Sequence, residues 1–109
     1  MKSAKDLRMN DNVFVVRPNG EVRVMSIVGT TFSHSGGTYG FGVQNGSWFY
    51  AREEQECSRL EMCYDICDVY FDLEVTRKQM KRRLKGLEEQ KKNIKQFLSQ
   101  TKNTESDAI

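Results

Sequence analysis

The uneven placement of turn-forming residues constrains this chain more than any other feature. Seven of the eight glycines and the single proline fall within residues 1–50, and Gly86 is the one glycine between Ala51 and Gln100. Glycine and proline punctuate strands and reversals but interrupt helices. The first half therefore reads as short β-strands joined by tight turns, and the second as helix.

In the first half, the β-favouring runs Val13-Phe14-Val15-Val16 and Val22 to Val28 flank Arg17-Pro18-Asn19-Gly20. Proline presets φ and Asn-Gly tolerates positive φ, so a hairpin is expected here. A second hairpin follows. Thr38 to Val43 alternates Tyr39, Phe41 and Val43 with Gly40 and Gly42, Gln44-Asn45-Gly46 reverses the chain, and Ser47-Trp48-Phe49-Tyr50 returns. The glycines also invite comparison with a phosphate-cradling loop. Such a loop ends in Gly-Lys-Ser/Thr, yet no lysine lies between Lys5 and Lys78 and no helix follows directly. The hairpin reading stands. Glycine in a strand marks a bend or a close approach. Gly40 and Gly42 would let a small sheet curl beneath an aromatic neighbour, or else leave a shallow groove for a partner. Of Trp48, Phe49 and Tyr50, two are expected in the core, with Trp48 the candidate surface anchor.

Beyond Ala51 the residues are helix formers, and Glu53, Glu54 and Glu56 suit the positive end of a helix dipole. Counting by sevens places Ile66, Leu73, Met80, Leu87 and Ile94 in one column. Cys63, Tyr70, Arg77, Leu84, Lys91 and Leu98 form the other. This is a heptad seam, apolar in its first column and twice cationic in its second. A helix from about Arg52 to Gln100 would be about 70 Å long, too long for a fifty-residue sheet to cover, so a second helix is expected along it. Residues 51–74 carry two cations against eight acids, net −6, and residues 75–102 carry ten cations against two acids, net +8. Antiparallel pairing centred near Arg77 would set acid against base, with Tyr70 near Leu84. An antiparallel homodimer through Ile66, Tyr70, Leu73, Met80, Leu84, Leu87, Ile94 and Leu98 is the expected association. Thr76-Arg77-Lys78-Gln79 has capping-box form and allows a fold-back instead, but Phe71 to Val75 lacks a turn residue, so the helix is expected to be continuous.

Other chemistry-bearing residues are sparse. His34 lies in Ser33-His34-Ser35-Gly36-Gly37, expected to be a solvated loop; no nucleophile or orienting acid accompanies it in a recognisable signature. Cys57, Cys63 and Cys67 are odd in number and lack close Cys-x-x-Cys spacing, so buried, reduced thiols are expected rather than a zinc site. Neither cofactor nor metal nor catalytic activity is predicted. The basic run Arg77 to Lys95 gives the alternative, a nucleic-acid contact through Lys81, Arg82, Arg83 and Lys85. No apolar run approaches the roughly 20 residues that span a bilayer, and no apolar segment follows the N-terminal lysines. A cytoplasmic protein without membrane partners is expected.

The opening KDLRMNDNVFVVRPNGEVRVMSIVG resembles the first hairpin of SH3-like small barrels, with Asp11, Val13, Gly20, Val22, Val24 and Ile27 fitting its outline. A strand-rich head that ends in WFYAREE and runs into a helix is similar to small accessory proteins encoded by bacteriophages and mobile elements. The resemblance covers about the first half of the chain and implies a regulatory or inhibitory binding protein.

The expected fold is α+β: a four-strand antiparallel curled sheet or partial SH3-like barrel in residues 1–50, a coiled-coil-type helix over 51–101, and a disordered tail over 102–109. The expected function is a non-enzymatic protein-binding adaptor or inhibitor.

Overall fold

The computed structural model describes residues 2–62 and 64–101. The fold is α+β: six antiparallel strands curl into a nearly closed barrel, and one long helix follows. A 3-10 turn (Ala4–Asp6) precedes β1 (Asn12–Val16), β2 (Val22–Ser33), β3 (Thr38–Val43), β4 (Trp48–Arg52), β5 (Cys57–Met62) and β6 (Asp65–Tyr70); α1 spans Leu73–Gln100. The strand order is β4-β3-β2-β1-β6-β5. The architecture agrees with an SH3-like head carrying a C-terminal helix. The described residues fall into two compact units, with the boundary between residues 77 and 78, inside α1.

The two expected Asn-Gly reversals form by one mechanism. The Gly20 amide donates to the Arg17 carbonyl at 2.9 Å and the Arg17 amide to the Glu21 carbonyl at 2.9 Å. The Gly46 amide likewise donates to Val43 and the Val43 amide to Ser47, both at 2.9 Å. Both glycines are left-handed, φ 94° at Gly20 and 86° at Gly46. In each turn the asparagine carboxamide, Asn19 or Asn45, accepts from the amide two residues on. Each is a three-residue loop closed by a left-handed glycine.

The helix begins 21 residues later than the heptad count places it at Arg52. Residues 57–70 form instead a hairpin, with Leu60 opposite Cys67 and Met62 opposite Asp65. The physical reason is a period of two. Leu60, Met62, Cys67 and Val69 are buried, and Phe71 follows on the same side, so alternate residues fill the barrel. Ile66 and Tyr70, assigned to the seam, lie instead on the opposite face of β6, Ile66 exposed and Tyr70 half-buried. The hairpin turn carries no Asn-Gly; Tyr64 takes the left-handed conformation there, with φ 69°, which tyrosine rarely adopts. Six strands, not four, make the head, and it ends at Tyr70 rather than residue 50. The tail over 102–109 lies outside the described residues.

Asp72 starts the helix. Its carboxylate accepts from the Glu74 amide at 2.8 Å, the side-chain cap that an N-terminus requires. Thr76, read above as a second start, is buried inside the first turns, where its hydroxyl donates back to the Asp72 carbonyl at 2.8 Å. From Leu73 to Gln100 the helix is continuous, but the continuity expected from Arg52 through Phe71 to Val75 is not found, because the chain leaves β6 at Tyr70 and enters the helix only at Leu73.

Within the barrel, Val13, Val15, Ile27, Phe41, Val43, Phe49, Leu60, Val69 and Phe71 are buried together. Aromatic rings run through this core: Phe41 and Phe49 have centroids 5.3 Å apart, and Phe49 and Phe71 5.7 Å. Ala4 and Leu7 join the core from the N-terminus. The Ala4 and Lys5 amides donate to the carbonyls of Gln55 and Glu53, which fastens this segment to the β4–β5 connection. β4 and β5 are the two ends of the sheet; the Ser58 hydroxyl donates across to the Tyr50 carbonyl at 2.6 Å.

Truncating Phe49 to Ala should cost about 3–5 kcal/mol, read as a lower urea midpoint with an unchanged slope. The Ser3 amide and hydroxyl both donate to the Asp6 carboxylate at 3.0 Å and hold it below its ordinary value of 3.8. A depressed carboxylate contributes stability that is complete above the ordinary value and lost as pH falls through the lower folded one. Asp6→Asn should therefore flatten the decline in stability below about pH 4 in urea titrations at a series of pH values.

Candidate protein-binding surfaces

Among the described residues, three apolar surfaces bear on partner binding. The first lies along α1. Its seam retains Leu73, Met80, Leu87 and Ile94 in one column and Arg77, Leu84, Lys91 and Leu98 in the other. Leu84, Leu87, Ile94, Phe97 and Leu98 expose 44–62% of their surface, and Met80 is half-buried. Phe97 flanks the seam and widens it, a contribution that counting by sevens overlooks. A single helix with an apolar stripe is stabilised mainly by whatever covers the stripe.

The electrostatics of this helix differ from the expectation. Most of the acidic stretch that was to share it, Glu53 through Asp68, lies in β5, β6 and the segment before them. What remains between Leu73 and Gln100 is nine cations against three acids, net +6. The pairing centred near Arg77 loses its basis, because no acidic half-helix exists to meet the basic half. Lys81, Arg82 and Lys85 are exposed and Arg83 is half-buried.

The second surface is the outer face of β2, β3 and β4. Strand alternation buries Phe49 and turns both Trp48 and Tyr50 outward, so one of the three aromatics is core, not two. The register sets Trp48 opposite Gly42 and Tyr50 opposite Gly40. A β-carbon on Gly42 would lie 2.9 Å from the Trp48 indole, and one on Gly40 would lie 3.0 Å from the Tyr50 ring and 2.6 Å from the Thr31 hydroxyl. Gly29 on β2 also lies under the indole, at 3.1 Å on the same construction. These glycines leave room for flat rings on the sheet, as the aromatic-over-glycine expectation had it.

The third surface is the outer face of β2, β1 and β6. Val24 pairs with Phe14 and Phe14 with Tyr70 in one cross-strand row. Val22, Val24 and Ile66 are exposed around it. Strands that are apolar on both faces account for this patch; the heptad count singles out two of its members, Ile66 and Tyr70, but places them on a helix. A charged cluster borders it. Arg17 reaches Asp65 at 3.1 Å and Glu21 at 3.3 Å, and Arg23 reaches Glu21 at 3.0 Å. The hydrogen bond from Arg23, with its charge and that of Arg17, holds the Glu21 carboxyl below its usual range.

The remaining candidates do not converge. His34 is exposed on the β2–β3 loop, edge-on to Phe32 with centroids 4.8 Å apart. Cys57 is exposed on β5 and Cys67 buried on β6, so the expectation of buried thiols holds for Cys67 alone of the two; Cys63 lies outside the described residues. Among the described residues no group of three or more His, Cys, Asp or Glu is placed to hold a metal ion. Among them, too, no helix is long and apolar enough to cross a membrane. Comparison with family models, with curated proteins and with solved structures gives no match.

Trp48 is the chain's single tryptophan and reports on the second surface directly. Gly42→Ala should lift the indole from the sheet and shift its emission to the red, with Trp48, an exposed side chain, giving way before the backbone. An unchanged spectrum would mean that the ring does not rest on Gly42.

Proposed function

We propose that this chain is a non-enzymatic protein-binding module, an adaptor or inhibitor, whose principal contact surface is the apolar stripe of α1. The observation that carries the reading is the row Leu84, Leu87, Ile94 and Leu98, exposed on a continuous helix. Fully burying one such side chain from complete exposure is worth about 1.5–3 kcal/mol; these four stand about half exposed, so covering the row supplies about half of that per side chain towards a specific contact. A stripe at heptad spacing suits a helix, whose own side chains fit the gaps between seam residues. The barrel adds Trp48 and Tyr50, flat aromatics of the type that anchors protein contacts. The resemblance to small accessory proteins of bacteriophages and mobile elements agrees with a regulatory or inhibitory role.

A second reading follows from the charge of α1. With its acidic neighbours placed in the barrel, the helix offers Lys81, Arg82, Arg83 and Lys85 on a background of net +6. Cations at this density track nucleic-acid phosphates with a strong salt dependence. The seam between them favours protein, because apolar side chains gain little beside a phosphate backbone.

Replacing Leu87 by a photoreactive benzophenone amino acid, and Glu89 on the far side of the helix as a control, separates these readings in the native cell. Irradiation should give nuclease-resistant protein adducts from position 87 and few from 89. No adduct at 87, or one removed by nuclease, would overturn the protein-binding reading. The nucleic-acid reading instead requires a mobility shift with duplex or single-stranded DNA or RNA at low salt, weakened by Lys81→Ala and Lys85→Ala together.

A further inference from the structure

The flank of the helix seam carries a pattern that names a partner. Immediately after each residue of the Leu73, Met80, Leu87, Ile94 column stands a charged one: Glu74, Lys81, Glu88 and Lys95. All four are exposed, and their signs alternate along the helix. We infer that the helix pairs antiparallel with a second copy of itself, in the register that sets Leu84 against Leu87 of the other copy. The inference rests on the protein-binding reading and identifies the occupant of its surface.

That register has a definite set of consequences. Residues whose numbers sum to 171 face each other: Leu73 meets Leu98, Arg77 meets Ile94, Met80 meets Lys91, and Leu84 meets Leu87, each twice by symmetry. On the flank, antiparallel helices bring the charged column of one copy beside the same column of the other. Glu74 then lies beside Lys95 and Lys81 beside Glu88, again each twice. All four flanking pairs are of opposite sign. Slipping one copy by a single heptad sets like signs beside each other, and slipping it by two keeps the opposite signs but leaves half as many pairs.

The interior of the seam selects the same orientation. A parallel pair in register would stack Arg77 on Arg77 and Lys91 on Lys91 within the seam, a like-charge contact at two levels. The antiparallel pair sets each of those cations against an apolar side chain, Ile94 or Met80. Their aliphatic stems cover it while the charged ends reach water. A parallel pair keeps Arg83 beside Glu88, made twice by symmetry, against four opposite-sign pairs in the antiparallel dimer and two levels of repulsion in its own seam. The net charge of +6 on each helix weakens either dimer, more so at low salt, so the apolar layers supply affinity and the flanking charges direction.

Sedimentation equilibrium on the full chain at tens of micromolar and low salt tests this with charge reversals. The wild-type chain should be dimeric. Lys81→Glu or Glu88→Lys alone makes two flanking pairs repulsive and should weaken the dimer about tenfold. The double variant Lys81→Glu/Glu88→Lys restores opposite signs and should recover most of the affinity, and the differences should collapse in molar salt. A double variant no tighter than the singles, singles without effect, or repair of Glu88→Lys by Arg83→Glu instead would each overturn the antiparallel register. A monomeric wild type would remove the second copy as partner. In that case protein adducts at position 87 would leave the broader protein-binding reading standing.

Discussion

The barrel depends on the bend in β2. This strand is twelve residues long, and its first part pairs with β1 while its second pairs with β3. Between them the register slips, with Ile27 opposite Val43 and Gly29 opposite Gly42. The slip inserts a residue and turns the strand, which curls a flat meander so that β4 arrives beside β5. Ile27 stays fully buried through the bend while Val28 is turned to solvent. The Trp48 indole lies across Gly29 and Gly42 on the convex side, so the corner is stiffened where its backbone has least side chain of its own. Closure of the barrel, burial of the phenylalanine rings and placement of the N-terminal turn all follow from that curvature.

Local chemistry made the first half of the fold legible. Asn19-Gly20 and Asn45-Gly46 carry their turn types in two residues each, and alternation around Gly40 and Gly42 assigns faces without reference to the rest of the chain. The β5–β6 hairpin carries no such punctuation. Its turn is made by Tyr64 in a conformation that only tertiary structure enforces on tyrosine, and its strands are short enough for two periods to fit. Ile66 and Tyr70 satisfy a heptad, whereas Leu60, Met62, Cys67, Val69 and Phe71 satisfy an alternation. The second set is longer and wholly apolar, and it is the one that fills the barrel. Asp72 marked the true helix start, an N-cap directly before Leu73, but the heptads on either side of it hid the signal.

Moving the helix start also alters which surface the proposed contact can use. Most of the acidic residues leave the rod for the strands and loops, and the helix becomes a mainly basic element whose seam is largely exposed. Trp48 gains Tyr50 as a neighbour on one outer face, because alternation turns both outward. The seam residues from Leu73 to Leu98 share one helix, while Ile66 and Tyr70 belong to a separate patch across β1 and β6. A count of hydrophobic spacing cannot separate these groups; only the pairing of β6 with β1 does.

The N-terminal segment bears on what the sheet's open ends can do. Ala4 and Lys5 are tied to Gln55 and Glu53 beside the gap between β4 and β5, with Lys5 also held to Glu54 at 2.8 Å. Ala4 and Lys5 thus lie beside the gap at which the two end strands of the sheet, β4 and β5, face each other without a backbone ladder. A chain deprived of its first seven residues would lose Ala4 and Leu7 from the interior and unlatch that gap. Two bare strand margins would then be available to pair with those of other molecules, so early truncation favours aggregation over simple loss of stability.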